Sequence, residues 1–167
     1  MGDEIVNRVA KSPLVTFDLE AYYPEGPRVL LDISQWLYEG LILRENEFRS
    51  AIRQLTVAHY QNAYVALHCS TDAIVPGWAY MLVATALEPV AKKVVVGSLN
   101  DLETVLYTEI IQHIEVSDFE GKPVIIKGCT QKPVPQSAYV LLSQKLAPVA
   151  KKILYGEACS SVPISKI

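Results

Sequence analysis

Cysteine is scarce in this chain, with three among 167 residues, and the odd number argues against a disulfide framework. Thiol, metal-ligand or plain buried roles remain open for the three. Basic residues are not in excess either. Fifteen Lys and Arg against 18 Asp and Glu leave a net charge of −3, and no basic stripe interleaves with aromatics, so a nucleic-acid partner is not expected. No apolar run reaches the roughly 18 to 20 residues that a membrane helix needs, which excludes a helical span on sequence grounds. The opening Met1-Gly2-Asp3-Glu4-Ile5 has acids where a signal peptide has basic residues, so a cytoplasmic location is expected. The eight glycines form no phosphate-binding loop, and neither a nucleophile elbow nor a metalloprotease motif occurs. The common nucleotide and hydrolase chemistries have no sequence basis here.

What the chain does have is apolar residues, 50% of the total, which together with a length typical of one domain allows a sizeable core. The strongest internal signal is a repeat at an offset of 59 residues. Between Val75 and Gly97, 12 of 23 positions match their partners, including Val75-Pro76 with Val134-Pro135, Ala79-Tyr80 with Ala138-Tyr139, and Pro89-Val90-Ala91-Lys92-Lys93 with Pro148-Val149-Ala150-Lys151-Lys152. Each copy follows a short β-branched run that ends at a cysteine, Tyr64 to Cys69 and Val124 to Cys129, and each leads to another such run, Val94 to Gly97 and Ile153 to Gly156. Pro76 and Pro135 suit the first helical position. The pattern predicts an α/β fold, a three-layer, mainly parallel sheet with an internally duplicated strand-helix-strand unit.

Between the copies, Leu102, Val105, Leu106, Ile110 and Ile114 recur at helical spacing behind a cap at Ser98 or Asn100. Pro89 and Pro148 sit late in the repeat helices, where a kink, or more simply a helix end, is expected. The first 62 residues read as strands over 14–19 and 28–33, then a helix over 47–55 with Phe48, Ala51, Ile52 and Leu55 on one stripe. No flexible linker separates them from the repeat, so residues 1–167 are expected to form a single domain, 1–62 as strands and helix and 63–160 as the duplicated core.

The candidate chemistry lies in the cysteines. Parallel strands would put Cys69 and Cys129 at one sheet edge, and Cys159 stands one repeat offset beyond Asn100. Each is followed by a hydroxyl residue and then Val-Pro. The carboxyl edge of a parallel sheet is where such folds bind ligands, and a sulfur ahead of a helix N-terminus tends towards thiolate. Three thiolates repel unless a cation neutralises them, so Cys69, Cys129 and Cys159 are expected to hold an iron–sulfur cluster or zinc, with His68, Asp72 or a group from outside the protein as the fourth ligand. The plainer reading makes the cysteines small core side chains, and no closely spaced Cys-x-x-Cys pair favours metal over core. His68 read alone is a structural histidine, Asp72 a turn acid and Lys127 an exposed strand lysine. Trp36, Tyr38, Trp78 and Tyr80 are packing residues.

The segments Asp3 to Ser12, Leu41-Ile42-Leu43-Arg44-Glu45, Cys69-Ser70-Thr71-Asp72-Ala73-Ile74-Val75-Pro76 and Tyr155-Gly156-Glu157-Ala158-Cys159-Ser160 resemble a bacterial family known as domain of unknown function 2480. That resemblance implies a link to iron–sulfur cluster assembly. Three functions follow as expectations: an accessory protein binding a metal or cluster, a thiol-dependent transferase or oxidoreductase, and an interaction protein with structural cysteines. The high apolar fraction in a short chain adds the expectation of a homodimer.

Overall fold

A computed structural model describes residues 13–128 and 131–166. The fold is mixed α/β, and every strand pairing but one is parallel. In chain order the elements are β1 (Val15–Phe17), β2 (Arg28–Asp32), α1 (Glu45–Arg53), β3 (Tyr64–His68), α2 (Gly77–Leu87), β4 (Lys93–Val96), α3 (Leu99–His113), β5 (Pro123–Ile126), α4 (Gln136–Leu146), β6 (Lys152–Glu157) and β7 (Ser160–Lys166). They form two compact units, residues 24–106 and residues 1–23 with 107–167. The strands lie in two sheets, of order β2-β3-β4 and β1-β5-β6-β7.

The 24–106 unit is three-layered. On β3, Val65 and Leu67 point to one face and pack with Phe48 and Ile52 of α1 and with Ala79, Val83 and Leu87 of α2. Tyr64 and Ala66 point to the other and meet Leu102 and Leu106 of α3. Alternation along a strand buried on both faces explains why β3 reads as continuous apolar sequence. Phe48 stands edge-on between two tryptophans, 6.0 Å from Trp36 and 5.9 Å from Trp78, a geometry that adds about 0.5–1.5 kcal/mol per pair beyond burial. The tryptophans thus pack the core, as their apolar surroundings predict.

In the other unit Phe17, Val124, Ile126 and Ile153 of the sheet pack with Ala138, Leu142 and Leu146 of α4 and with Tyr107 and Ile111 of α3. The Tyr107 hydroxyl, fully buried, donates to the Leu19 carbonyl at 3.0 Å, which meets the need of its one polar atom.

The segments related by the 59-residue offset form matching elements. Helices α2 and α4 start and stop at equivalent residues, and Pro76 and Pro135 precede them with the same extended backbone, φ −70 and −71. The register repeats as well, Tyr64 beside Lys93 and Pro123 beside Lys152. Asn62 and Gly121, in the left-handed region at φ 58 and 66, donate to the Val90 and Val149 carbonyls. Both helices end before Pro89 and Pro148, so these prolines mark helix ends and produce no kink.

The matching stops after the second strand of each segment. Beyond β4, Ser98 caps α3, its hydroxyl accepting from the Asp101 amide at 3.2 Å while its own amide donates to the Asp101 carboxylate at 2.7 Å. Beyond β6 the chain turns at Ala158 and Cys159 into the antiparallel β7. That hairpin gave no clear signal beforehand, because Pro163 interrupts the apolar alternation and is tolerated only because β7 is an edge strand.

Candidate functional site

Within the 24–106 unit, strands β2 and β3 run parallel with Asp32 beside His68 at their carboxyl ends. Asp32 leaves the sheet and caps a short 3-10 turn, Ile33–Trp36, by accepting from the Ser34 amide at 2.9 Å. The same carboxylate accepts from the Ser70 amide at 3.1 Å and the Ser70 hydroxyl at 2.5 Å, and the hydroxyls of Ser34 and Ser70 lie 3.1 Å apart. One side chain therefore fastens the end of β2 to the loop that leaves β3. Burial raises the Asp32 pKa, but hydrogen bonds from Ser70 and Ser34 outweigh it and hold the carboxyl well below the usual range. Such a carboxylate is a strong hydrogen-bond acceptor and a poor base at neutral pH.

Cys69 follows β3 directly and is half-buried. Its sulfur lies 3.4 Å from the Thr71 hydroxyl, and it packs against the core shared by α1 and α2. Burial pushes the Tyr80 phenol up, and the neighbouring Cys69 adds to the shift. Thr71 in turn donates to the Gly40 carbonyl at 2.5 Å. The loop after β3 is thereby fastened to a tight turn, Tyr38 to Ile42.

That turn is rigid by several independent contacts. Glu39 and Gly40 both occupy the left-handed region, φ 51 and 70, which costs on the order of 1 kcal/mol for the non-glycine residue. The Tyr38 amide donates to the Ile42 carbonyl at 2.8 Å and the Ile42 amide returns a bond to Tyr38 at 3.0 Å. The Arg44 guanidinium sits 3.3 Å from the centroid of the Tyr38 ring. The turn carries Leu41 and Ile42 outwards, 56% and 53% exposed, beside Ile74, which is 93% exposed. Together with Leu43, Glu45, Asp72 and Trp78 they line an open groove of about 620 Å³.

The expected ligand residues are distributed as follows. Cys69, His68 and Asp72 belong to the 24–106 unit, His68 half-buried and Asp72 exposed on the groove. Cys159 is exposed at the β6–β7 turn of the other unit. Cys129 lies outside the described residues. The shared sheet edge expected for Cys69 and Cys129 is corrected, because β3 and β5 are strands of different sheets. The offset itself also pairs Cys69 with Gly128 and Cys129 with Ser70, so the two cysteines are not equivalent positions. Among the described residues, no three His, Cys, Asp or Glu side chains gather as a metal-ligand set.

The strand-end aspartate occurs a second time. Asp18 follows β1, caps the turn Leu19–Tyr22 by accepting from the Glu20 amide at 3.0 Å, and binds the Lys127 ammonium at 2.8 Å. The hydrogen bond to Asp18 leads the factors that hold Lys127 above its ordinary range, against desolvation. Sequence reasoning named Lys127 and noted Ser70 only as the hydroxyl after Cys69, and it missed Asp18, Asp32 and Ser34. The available signal was local: each apolar strand ends in Asp followed by Leu or Ile, the pattern of a capped turn with one buried side chain.

No curated protein and no solved structure matches the chain. A family model described as protein of unknown function (DUF2480) matches residues 3–167. That match takes in the Asp32–Ser70 fastening, the Leu41–Ile42 turn and all three cysteines, and by it the chain belongs to the DUF2480 family.

Proposed function

We propose that this chain is an interaction protein, which binds another protein through the Tyr38–Ile42 turn and the groove beside it, with Cys69 as a packing residue. The observation that carries the reading is the outward presentation of Leu41, Ile42 and Ile74 by a turn fixed in place by hydrogen bonds. A mobile loop could fold such side chains inwards, whereas a fixed one exposes apolar area to water until a partner covers it. Burial of apolar surface contributes about 25 cal/mol per Å², and rigid anchors lose little entropy on binding. The polar groups at the strand ends support the same reading, since Asp32, Ser34 and Ser70 satisfy one another. None of these three is an activated nucleophile or base, since the Asp32 carboxyl is held below its usual range.

Two measurements on the full chain test this. A photo-crosslinking residue at Ile74, and another at the exposed Glu88 as control, should give one defined protein adduct from position 74 alone in cells that produce the chain. Metal analysis of protein purified without oxygen separates the thiolate alternative. Stoichiometric iron or zinc that disappears in Cys69→Ser would replace this reading with a metal or cluster site formed by Cys69, Cys129 and Cys159, and a link to cluster assembly would then regain its force.

A further inference from the structure

We infer that the partner segment taken by this groove is apolar with flanking lysines or arginines, an inference that rests on the interaction reading above. The argument is one of charge. Glu45 and Asp72 line the groove, Glu39 sits in the turn two residues before Leu41, and Glu47 follows in the first turn of α1, against two bases beside them, Arg44 and Arg49. Both bases are already committed. Arg44 pairs with Glu47 at 3.1 Å and stacks on Tyr38, while Arg49 pairs with Glu45 at 2.8 Å and lies 5.3 Å from the Trp78 ring centroid. Glu39 and Asp72 have no ion pair among the described residues.

Over the described residues the rim is therefore net negative around an apolar centre. A second copy of the chain would bring the same acids against themselves, and an anionic membrane surface would be repelled likewise. A basic-flanked apolar segment satisfies both parts of the surface at once, the anchor desolvating Leu41, Ile42 and Ile74 while its cations meet Glu39 and Asp72. Rim charges of this kind set association rate and specificity more than tightness, and they weaken with salt.

The test uses two fluorescent synthetic peptides with the same leucine and phenylalanine anchors, one flanked by lysines and one by glutamates, titrated with the full chain. The lysine peptide should bind about tenfold more tightly at low salt, and the gap should close as salt rises. Leu41→Ser with Ile74→Ser should abolish its binding without lowering the melting temperature. Asp72→Lys with Glu39→Lys should invert the preference. Equal binding of the two peptides, or an unchanged preference in the double lysine variant, overturns the inference and leaves the interaction reading in place. Binding to anionic vesicles, or light scattering that shows the chain doubling its mass through Ile74, overturns it too. Loss of the position-74 adduct in cells would instead remove the interaction reading itself.

Discussion

The guanidinium of Arg28 meets the carboxylate of Glu103 through two contacts, 2.7 and 3.3 Å, at a site where the Glu103 side chain is only 5% exposed. Arg28 opens β2 and Glu103 lies in the second turn of α3, so the pair joins sheet and helix within one unit. The two Nη1 donors of Arg28 go to the Pro24 and Gly26 carbonyls, and its flat face lies 4.7 Å from the Tyr64 ring centroid. Removing one member strands a buried charge. Glu103→Gln or Arg28→Met should lower the unfolding free energy in urea by about 3–5 kcal/mol, and replacing both by apolar residues should recover most of it. Loss of less than about 1 kcal/mol in the single variants would show the pair to be solvated.

Acid should weaken the fold through Asp32. Its folded pKa lies below its ordinary 3.8, so its contribution is complete above that value and is lost as pH falls towards the folded pKa. Urea midpoints measured from about pH 6 to about pH 2 should fall less steeply in Asp32→Asn than in the parent chain. Parallel slopes would mean that other carboxylates carry the acid sensitivity.

Two glycines should respond oppositely to alanine. Gly97 has φ +135, and a Cβ there would stand 2.6 Å from the Asp101 carboxylate that caps α3, so Gly97→Ala should destabilise by more than about 1 kcal/mol. Gly77 opens α2 with nothing within 4 Å of an added Cβ, and Gly77→Ala should stabilise by about 0.4–1 kcal/mol. Thermal unfolding of the two variants checks both signs.

The thiols should differ in reactivity. Cys159, exposed at the β6–β7 turn, should react with iodoacetamide at the rate of a model thiol, and Cys69, half-buried against Thr71, should react at least about tenfold more slowly. Peptide mass spectrometry over time reads each site separately. Faster labelling of Cys69 than of Cys159 would point instead to an activated nucleophile.

Several local elements are legible in the sequence, although the β6–β7 hairpin is not. The 59-residue repeat located α2 and α4, a cap at Ser98 or Asn100 marked the start of α3, and the β-branched runs located β3 and β5, because these features depend on residues a few positions apart. Trp36, Trp78 and Tyr80 were legible as packing residues for the same reason, whereas Tyr38, expected to pack as well, is 39% exposed in its turn. Tertiary structure alone decided which strands pair. β1 and β2 read alike, yet Val15 pairs with Val124 and Arg28 with Tyr64, a choice between partners about 110 and 36 residues away that no local pattern encodes. That choice put β3 and β5 in separate sheets and removed the common edge expected for Cys69 and Cys129. The fastening of Asp32 to Ser70 and of Thr71 to Gly40 was equally out of reach. Each of those bonds spans more than 30 residues, and only the packed chain brings their ends within hydrogen-bonding distance.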